Sequence, residues 1–441
     1  MLRLPLLCSL LICLCSNSLT AQTRLEKVLE DRKKVLEQGF WLYNSLDAGI
    51  AEAKKTGKPM LVVLRCIPCE ECVKLDEELM EQDPHLKPLL EKFVRVRIVG
   101  TNGLDLSLFQ FDYDQSFAIF LMNADKTIYG RYGTRSDRIS WEDDVSIQGL
   151  ARALEGTLEL HANYPANKQQ FAGKRGPKPM YPSPEKFPSL ASKFTSELDY
   201  KGNVVSSCIH CHQIGDAQQL VYRTTGKPFP EEILFPYPHP KILGLILSPE
   251  EKATLKQVVP GSAAETAGFE AGDEILSLEG QPLLSIADVQ WVLHHAGKKN
   301  SLTAQIRREG KSIDLKLPLK SGWRQQGDLS WRVSSWPLRR MGTGGMKLAE
   351  LADEDRPSSL RDSNQMALLV QHVGQYGPHA AAKNAGVQKD DILISFNNRT
   401  DLLRETDLLV YAATHTKPGD RVPVTLLRKG KKIEVRLPMQ E

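Results

Sequence analysis

The feature that most constrains the fold is an internal repeat in the C-terminal half of the chain. The stretch 267–278 (AGFEAGDEILSL) returns at 385–396 (AGVQKDDILISF), and the stretch 308–317 (REGKSIDLKL) is echoed at 428–437 (RKGKKIEVRL). A period of about 120 residues is too long for one unit of a solenoid. The repeat therefore predicts two copies of one domain, placed one after the other.

We call residues 241–320 the first copy and residues 321–441 the second copy. Both resemble PDZ domains of the bacterial periplasmic type, and in the first copy the resemblance is carried by 258–264 (VVPGSAA) and the AGFEAGD stretch after it. The pattern predicts short strands, two helices and a closing hairpin in each copy. The resemblance implies that an extended peptide adds to a strand edge and that backbone N–H groups hold its C-terminal carboxylate.

The candidate carboxylate loop of the first copy is Leu243, Gly244, Leu245 and Ile246. In the second copy the candidate loop, 344–346, is separated from the domain core by the polar stretch 349–365. Peptide binding by the second copy is therefore left open, and either copy could instead serve only to pack against its neighbours.

A second constraint lies at 65–72 (RCIPCEEC), where three cysteines directly follow the apolar run Met60–Leu64. The run predicts a strand, and the residues after the cysteines have helical spacing, so the last two cysteines fall at a helix N-terminus. There the helix dipole favours a thiolate. Further strands are predicted at 93–99, 117–122 and 127–132, and helices at 25–40, 46–55 and 147–158. This order resembles the thioredoxin fold over roughly residues 41–162.

The resemblance ranks the cysteines. Counting from 57–59 (GKP), as in the thioredoxin-like domains of bacterial exported reductases, Cys69 stands at the attacking position and Cys72 at the resolving position. Cys66 is then an extra thiol, although a frame that uses Cys66 and Cys69 stays open. The alternatives to redox chemistry are an inert disulfide, or three thiolates that hold zinc together with a distant ligand.

Some residues depart from the family pattern. Phe117 stands where a cis-proline is expected and Val63 where a buried acid is expected, so substrate binding and proton transfer must differ from those of thioredoxin. Glu70 and Glu71 between the thiols disfavour a nearby thiolate. A less stabilised thiolate points to a reductant or isomerase and away from a strong oxidant.

The N-terminus predicts export. Arg3 precedes the apolar run 4–14, and small polar residues extend from there to Ala21, which is typical of a secretory signal peptide. The run is too short to span a bilayer, and no later apolar stretch reaches membrane length. An uncleaved anchor is the alternative. We expect the mature chain in the periplasm or cell envelope, with no transmembrane segment after the signal peptide.

Composition restricts the partners. With 57 basic and 54 acidic residues, a net charge of +3 and no basic block, the chain does not resemble a nucleic-acid-binding protein. Removal of the signal peptide would leave five cysteines in two short clusters. An odd number in clusters argues for chemistry rather than for a structural disulfide framework.

The second cluster is a CxxCH motif after a proline-rich segment. Cys208 and Cys211 have the spacing that forms thioether bonds to haem c, and His212 would then be an axial ligand of the iron. No methionine occurs between Met180 and Met341, so the other ligand would be His239, His210 or none. The alternatives are a zinc knuckle, or a second dithiol that exchanges electrons with Cys69 and Cys72.

These segments predict a multidomain α/β and β-rich protein: a thioredoxin-like α/β domain followed by a CxxCH segment and two PDZ-like domains. The expected boundaries are a signal peptide at 1–21, the thioredoxin-like domain with its N-terminal helix at 22–162, a proline-rich linker at 163–200, a cytochrome c-like segment at 201–240, and the two copies. The whole is similar to bacterial exported thioredoxin-like/PDZ fusion proteins. The resemblance implies a thiol–disulfide oxidoreductase whose PDZ domains recruit client proteins. The alternative is a non-catalytic envelope scaffold or a metal- or haem-binding protein.

Overall fold

The computed structural model describes residues 23–65, 83–115, 117–137, 143–362 and 364–441. The predicted signal peptide at 1–21 and the three cysteines Cys66, Cys69 and Cys72 lie outside the described residues. Within the described ranges, no helix of 18 residues or more is apolar enough to cross a membrane.

The N-terminal part is an α/β domain built on a five-stranded sheet. Its strands are β1 (Leu42–Tyr43), β2 (Met60–Arg65), β3 (Val94–Val99), β4 (Phe117–Met122) and β5 (Ile128–Tyr132). Its helices are α1 (Arg24–Gln38), α2 (Leu46–Thr56), α3 (Leu86–Leu90) and α4 (Ile147–Ala162). The strand order is β1-β3-β2-β4-β5, with β1, β3 and β2 parallel and with β4 and β5 antiparallel to their neighbours. The predicted strands of this domain are confirmed.

The central strand β2 is buried along its whole length. Val62 and Leu64 point to one face of the sheet, and Leu61 and Val63 point to the other. A strand covered on both faces reads as an unbroken apolar run, which is why the sequence identified it. Before it, α2 ends at Gly57, whose φ of 69° is the left-handed conformation that closes a helix.

The proline-rich segment 163–200, expected as a linker, packs on the N-terminal sheet. Phe171 packs on one face of the sheet, together with Leu61 and Val63 of β2, while Phe187 packs on the other. The aromatic side chains tie the segment to the sheet at both faces. The segment is therefore part of the packing of the N-terminal domain.

The CxxCH segment also packs on this sheet. It follows the short helix α5 (Pro188–Ala191) of the proline-rich segment and contains the helices α6 (Val204–Ser207), α7 (Cys211–Thr225) and α8 (Glu231–Leu234). Ile209, Ile214 and Ala217 belong to the same apolar cluster as Val62 and Leu64. The segment thus completes the cover of one face of the sheet as a layer of the N-terminal domain, and the cytochrome c-like character expected at 201–240 stays a prediction.

The first copy has its own core. Its strands are β6 (Leu245–Leu247), β7 (Leu255–Val258), β8 (Glu274–Leu278), β9 (Gln281–Pro282), β10 (Ser301–Arg308) and β11 (Lys311–Pro318), and its helices are α9 (Ala263–Thr266) and α10 (Ile286–His294). β6 and β7 form a two-stranded ribbon, and the other four strands form a sheet in the order β11-β10-β8-β9.

The second copy repeats this arrangement around another core. Its strands are β12 (Met346–Glu350), β13 (Leu368–Val373), β14 (Ile392–Phe396), β15 (Arg421–Arg428) and β16 (Lys431–Pro438), in that order in one sheet, and its helices are α11 (Ser335–Thr343), α12 (Ala381–Asn384) and α13 (Glu405–His415). The repeat extends to side chains. Arg308 Nε lies 2.7 Å from Asp273 Oδ1, and Arg428 Nε lies 2.6 Å from Asp391 Oδ1 at the corresponding positions.

Two buried polar junctions connect the N-terminal domain to the C-terminal half of the chain. Lys174 Nζ lies 2.7 Å from Asp288 Oδ1 on α10, and both side chains are almost fully buried. Arg332, near the start of the second copy, lies 2.7 Å from Asp112 and 3.0 Å from Asp114. Both aspartates are in the loop before β4. The N-terminal domain and the two copies are therefore joined through specific ion pairs.

Candidate thiol site and peptide loop

The second cysteine cluster lies at the end of the N-terminal sheet where β2 and β3 finish, which we call the thiol edge. Strand β2 ends at Arg65, directly before Cys66 in the sequence, and Arg65 pairs with Val99 at the end of β3. Gly100 comes next, and a Cβ added to it would lie 2.8 Å from the Sγ atom of Cys208. Since parallel neighbours end at the same edge of a sheet, Cys208 lies at the edge from which the chain continues into the first cluster.

The backbone around Cys208 is clamped to the loop after β3. The carbonyl oxygen of Ile209 accepts hydrogen bonds from the N–H and the hydroxyl of Thr101, at 3.0 and 2.9 Å. Ile209 N–H donates to Asn102 Oδ1 at 2.8 Å, and Asn102 Nδ2 donates to the carbonyl of Ser207 at 2.9 Å. One asparagine therefore bonds the chain on both sides of Cys208.

Both thiols of the motif are buried. Cys208 is 7 % exposed and Cys211 is 9 % exposed. Cys211 is the first residue of α7, a helix of 15 residues, so its thiol lies at the positive end of a helix dipole. That position favours the thiolate, the form that attacks a disulfide.

His212 lies on the outer side of α7. Its side chain is 37 % exposed, its Nδ1 lies 3.2 Å from Asp216 Oδ2, and its ring stacks on that of His210. Burial raises the pKa of Asp216, and the hydrogen bond with His212 opposes that rise. The imidazole therefore belongs to a surface pair on the helix, while the thiols of Cys208 and Cys211 face the core.

The residues of the CxxCH motif do not fit a haem in this arrangement. Thioether bonds would require both sulfur atoms to face a macrocycle, but Cys208 packs against the backbone of Gly100 and Cys211 lies in the apolar cluster with Leu64 and Ile214. A macrocycle would have to separate α7 from the sheet. Covalent haem remains a prediction from the motif.

His239, the other predicted ligand, is placed elsewhere. Its Nδ1 accepts a hydrogen bond from Lys241 N–H at 3.3 Å, and its Nε2 lies 3.2 Å from Asp144 Oδ1. Burial lowers the pKa of His239. Burial acts to raise the pKa of Asp144, but its hydrogen bonds, first the one with His239, together outweigh it, so the pKa of Asp144 is lowered. Among the residues that the structure describes, no group of three or more His, Cys, Asp or Glu side chains is arranged to hold a metal ion.

A buried charge cluster at the end of β2 was not predicted from the sequence. The guanidinium groups of Arg65 and Arg97 lie 3.6 and 3.2 Å from Asp31 Oδ1, and all three side chains are almost fully buried. Asp31 comes from α1, which precedes the first strand of the sheet, so its pairing has no sequence signal. The carboxylate offsets part of the positive charge of the two arginines.

The predicted carboxylate loop of the first copy lies between a 3₁₀ turn and β6. Leu243 ends the turn, Gly244 has a φ of 86°, and Leu245 begins the strand. Because Gly244 O accepts from Val259 N–H, strand alternation points the backbone N–H and C=O of Leu245 away from β7. Those groups are the ones that a peptide would use.

The loop borders a cavity of about 260 Å³. Its lining includes the loop residues Leu243 and Gly244, two lysines, Lys241 and Lys320, and the indole of Trp323. The cavity has room and positive charge for a terminal carboxylate. Leu245 itself is only 1 % exposed, so strand addition along β6 would require the groove to widen.

Helix α10 of the first copy is held by the N-terminal domain. Trp291 Nε1 donates to Gly173 O at 2.8 Å, and the guanidinium of Arg131 lies 3.5 Å from the centre of the Trp291 ring. Asp288, one turn earlier, also accepts from Arg131 N–H at 3.2 Å. The first copy is therefore docked through α10 onto the edge strand β5.

Comparisons with known proteins agree with two of these domains. A family model described as thioredoxin-like matches residues 41–124, and a PDZ domain model matches residues 254–306. The chain contains a thioredoxin-like domain and a PDZ domain. The matched part of the thioredoxin-like domain includes the strands that lead to and from the thiol edge.

The curated relatives match over part of their length. A probable periplasmic serine protease do/HhoA-like of Haemophilus influenzae is 28 % identical over 153 residues, which is 35 % of this chain and 29 % of the relative. The periplasmic pH-dependent serine endoprotease DegQ of Escherichia coli is 28 % identical over 151 residues, 34 % of this chain and 29 % of the relative. A putative zinc metalloprotease of Brucella suis is 46 % identical over 59 residues, 13 % and 15 % of the two chains.

Among solved structures, the HtrA-type protease AlgW with a decapeptide matches with 17 % identity and a TM-score of 0.20, over 33 % of this chain and 42 % of that one. The chain spans less than a third of the length of these three curated relatives.

Proposed function

We propose that this chain is an exported thiol–disulfide oxidoreductase of the reductase or isomerase type whose PDZ region recruits client proteins. The observation that carries the proposal is the position of Cys208. It lies beside the end of β3, and the neighbouring thioredoxin-like strand β2 ends at Arg65, directly before Cys66–Cys72 in the sequence. Export is supported by the N-terminal signal pattern and by relatives that are named as periplasmic.

In this proposal Cys69 attacks a client disulfide and Cys72 resolves the mixed disulfide. The client leaves as a dithiol, and the two cysteines are left joined as a disulfide. Cys208 and Cys211 form a second dithiol that restores the first pair: two of their S–H bonds are lost, a Cys208–Cys211 disulfide forms, and the Cys69–Cys72 disulfide is reduced. An exported reductant of the dithiol class then completes the cycle.

The test of the thiol chemistry uses single serine variants of the full chain. Cys72→Ser should accumulate mixed disulfides with clients, while Cys69→Ser should abolish both trapping and turnover of an insulin-type disulfide substrate. Cys208→Ser should leave a single turnover intact and abolish repeated turnover. Trapping by Cys69→Ser through Cys66 would show that the other frame is the active one.

We also propose that the first copy binds the C-terminus of a client, with the carboxylate in the cavity beside Gly244. Lys320 lines the cavity and is the candidate partner of the carboxylate, since the Lys241 ammonium donates to Ser136 O, and the backbone of Leu245 supplies the strand edge. Lys320→Glu should weaken binding of decapeptides with an apolar C-terminal residue by about tenfold, since it replaces attraction with repulsion. Lys316→Glu, on the exposed face of β11, is the matched control.

Peptides with an amidated C-terminus separate carboxylate capture from plain strand addition. Equal affinity for amidated and acid peptides would contradict the carboxylate site. The alternative function, a non-catalytic envelope scaffold, predicts peptide binding without any turnover by wild-type protein.

A further inference from the structure

The peptide edge of the second copy is already occupied. Strand β12 corresponds to β6 of the first copy: each comes after a left-handed glycine, Gly345 with φ 88° and Gly244 with φ 86°. In the second copy β12 contacts the longer helix, which begins at Glu405, and in the first copy the corresponding helix begins at Ile286 and contacts the turn that leads into β6. The same geometry therefore defines the peptide edge in both copies.

Strand alternation identifies the groups on that edge. Gly374 N–H donates to Gly345 O, and Leu351 N–H donates to Ala367 O, so these residues bond to β13. With the register shift after Lys347, Met346 and Leu348 both turn their backbone groups away from β13. A peptide added to β12 would bond to the carbonyl of Met346 and the N–H of Leu348.

Both of these groups have hydrogen-bond partners within the chain. The hydroxyl of Thr343 lies 2.9 Å from Met346 O and also 2.9 Å from Arg339 O, so these two carbonyls share its proton, and Leu348 N–H donates to Glu405 Oε1 at 2.7 Å. Thr343 is the last residue of α11, and Glu405 is the first residue of α13. Side chains from two helices therefore make the bonds that a peptide backbone would make.

The carboxylate of Glu405 is itself fixed. Arg339 of α11 donates to both of its oxygens, from Nε at 2.9 Å and from Nη2 at 2.5 Å. Both side chains are almost fully buried, at 1 % and 3 % exposure, and Arg339 also donates to the hydroxyl of Ser335. Removing α11 would leave this carboxylate buried without its cation, so the helix and the capped edge form one unit.

The other end of α11 is held by the N-terminal domain. Ser334, the residue before the helix, donates to Asp114 through its N–H and its hydroxyl, both at 2.7 Å, and Arg332 donates to the same carboxylate. The helix is therefore anchored on the thioredoxin-like domain at its start and on the second copy at its end.

We propose that α11 is an internal ligand of the second copy, which closes its peptide edge and makes that copy a structural bridge to the thioredoxin-like domain. Client peptides are then left to the first copy, where Ile286 stands at the position of Glu405 and has no carboxylate to cap the strand. The inference concerns the second copy alone and does not depend on whether the first copy binds peptides.

The test measures hydrogen–deuterium exchange in the full chain. In Glu405→Ala, the amides of 346–350 should exchange at least about tenfold faster than in wild type, because a charged acceptor is lost, while the hairpin β15–β16 keeps its protection. Glu354→Ala, which removes an exposed carboxylate from the same copy, should change neither. Glu405→Gln keeps an acceptor and the packing, so it should show a smaller increase and serves if the alanine variant unfolds.

Photo-crosslinking distinguishes a closed edge from an unused one. A decapeptide with an apolar C-terminal residue and an internal photoreactive phenylalanine analogue should label 344–351 in Thr343→Val/Glu405→Ala more than in wild type. Labelling of 344–351 in wild-type protein at the same level, or rapid exchange of the Leu348 amide in wild type, would overturn the proposal.

Discussion

Asn102→Ala tests whether the clamp on Ile209 controls access to the second thiol pair. The Asn102 side chain accepts from Ile209 N–H and donates to the carbonyls of Ser207 and Thr195, at 2.8, 2.9 and 2.8 Å. Each bond contributes about 1 kcal/mol net, and a buried N–H left without an acceptor adds to the cost. Local opening of the segment should become easier by about 2–3 kcal/mol.

The assay is alkylation of the reduced protein by iodoacetamide, with peptide mass spectrometry at Cys208 and Cys211 as the readout. Buried thiols react from locally opened states, so their rates should rise by about 30- to 150-fold, at 1.4 kcal/mol per factor of ten. Asn163→Ala is the matched control because its side chain makes one exposed bond, to Glu159 O. A change of less than about threefold, or an equal rise in the control, would refute the idea that the clamp limits access.

Three further predictions concern buried groups. Asp288→Ala should lower the free energy of unfolding in denaturant titrations by about 3–5 kcal/mol, because Lys174 keeps its buried charge without the carboxylate. The double variant Lys174→Met/Asp288→Leu should recover part of the loss. A loss below about 1 kcal/mol in Asp288→Ala would contradict the buried pair. Burial lowers the pKa of His295 to about 4, so the unfolded chain binds more protons between about pH 4 and 6.5 and stability falls as the pH drops through that window. His295→Gln should remove on the order of 2–3 kcal/mol of that loss, whereas parallel stability–pH curves for the two proteins would exclude it. Protein made in a host that matures c-type cytochromes should be colourless after denaturation, and pigment retained at Cys208 and Cys211 would show that the motif carries haem in spite of the packing.

The sequence predicted the N-terminal sheet well because each strand satisfies a local rule. β2 is an apolar run because it is central, and the turn after β4 carries the polar residues that a hairpin needs. The repeat was likewise visible because the Asp273–Arg308 and Asp391–Arg428 pairs demand the same residues at the same spacing in both copies. These features depend on neighbours in sequence or on internal similarity.

The features that the sequence did not indicate depend on distant partners. Phe171 and Phe187 are isolated aromatics in a proline-rich run with no period, and their burial is decided by the sheet faces that they meet. Helix α11 contains Pro337 and ends at two glycines, so its local signal is weak, and its stability comes from Arg339 and its pairing with Glu405. The haem prediction rests on the CxxCH motif and on the export signal, and neither shows whether both thiols face the same open surface.

Under the proposed function, the buried ion pairs between the domains limit which client disulfides can reach the thiol edge. Arg332 with Asp112 and Lys174 with Asp288 are buried pairs between the N-terminal domain and the C-terminal half, and breaking either leaves a buried charge unpaired at a cost of about 3–5 kcal/mol. One arrangement of the thioredoxin-like domain and the two copies satisfies both pairs, so the path from the first copy's loop to the thiol edge has a fixed length. A client held there by its C-terminus presents its cysteines at an effective concentration set by the chain between the cysteine and the C-terminus. We therefore expect selection by the position of a disulfide relative to the client's end, and shortening that tether in a model client should abolish turnover while leaving binding unchanged.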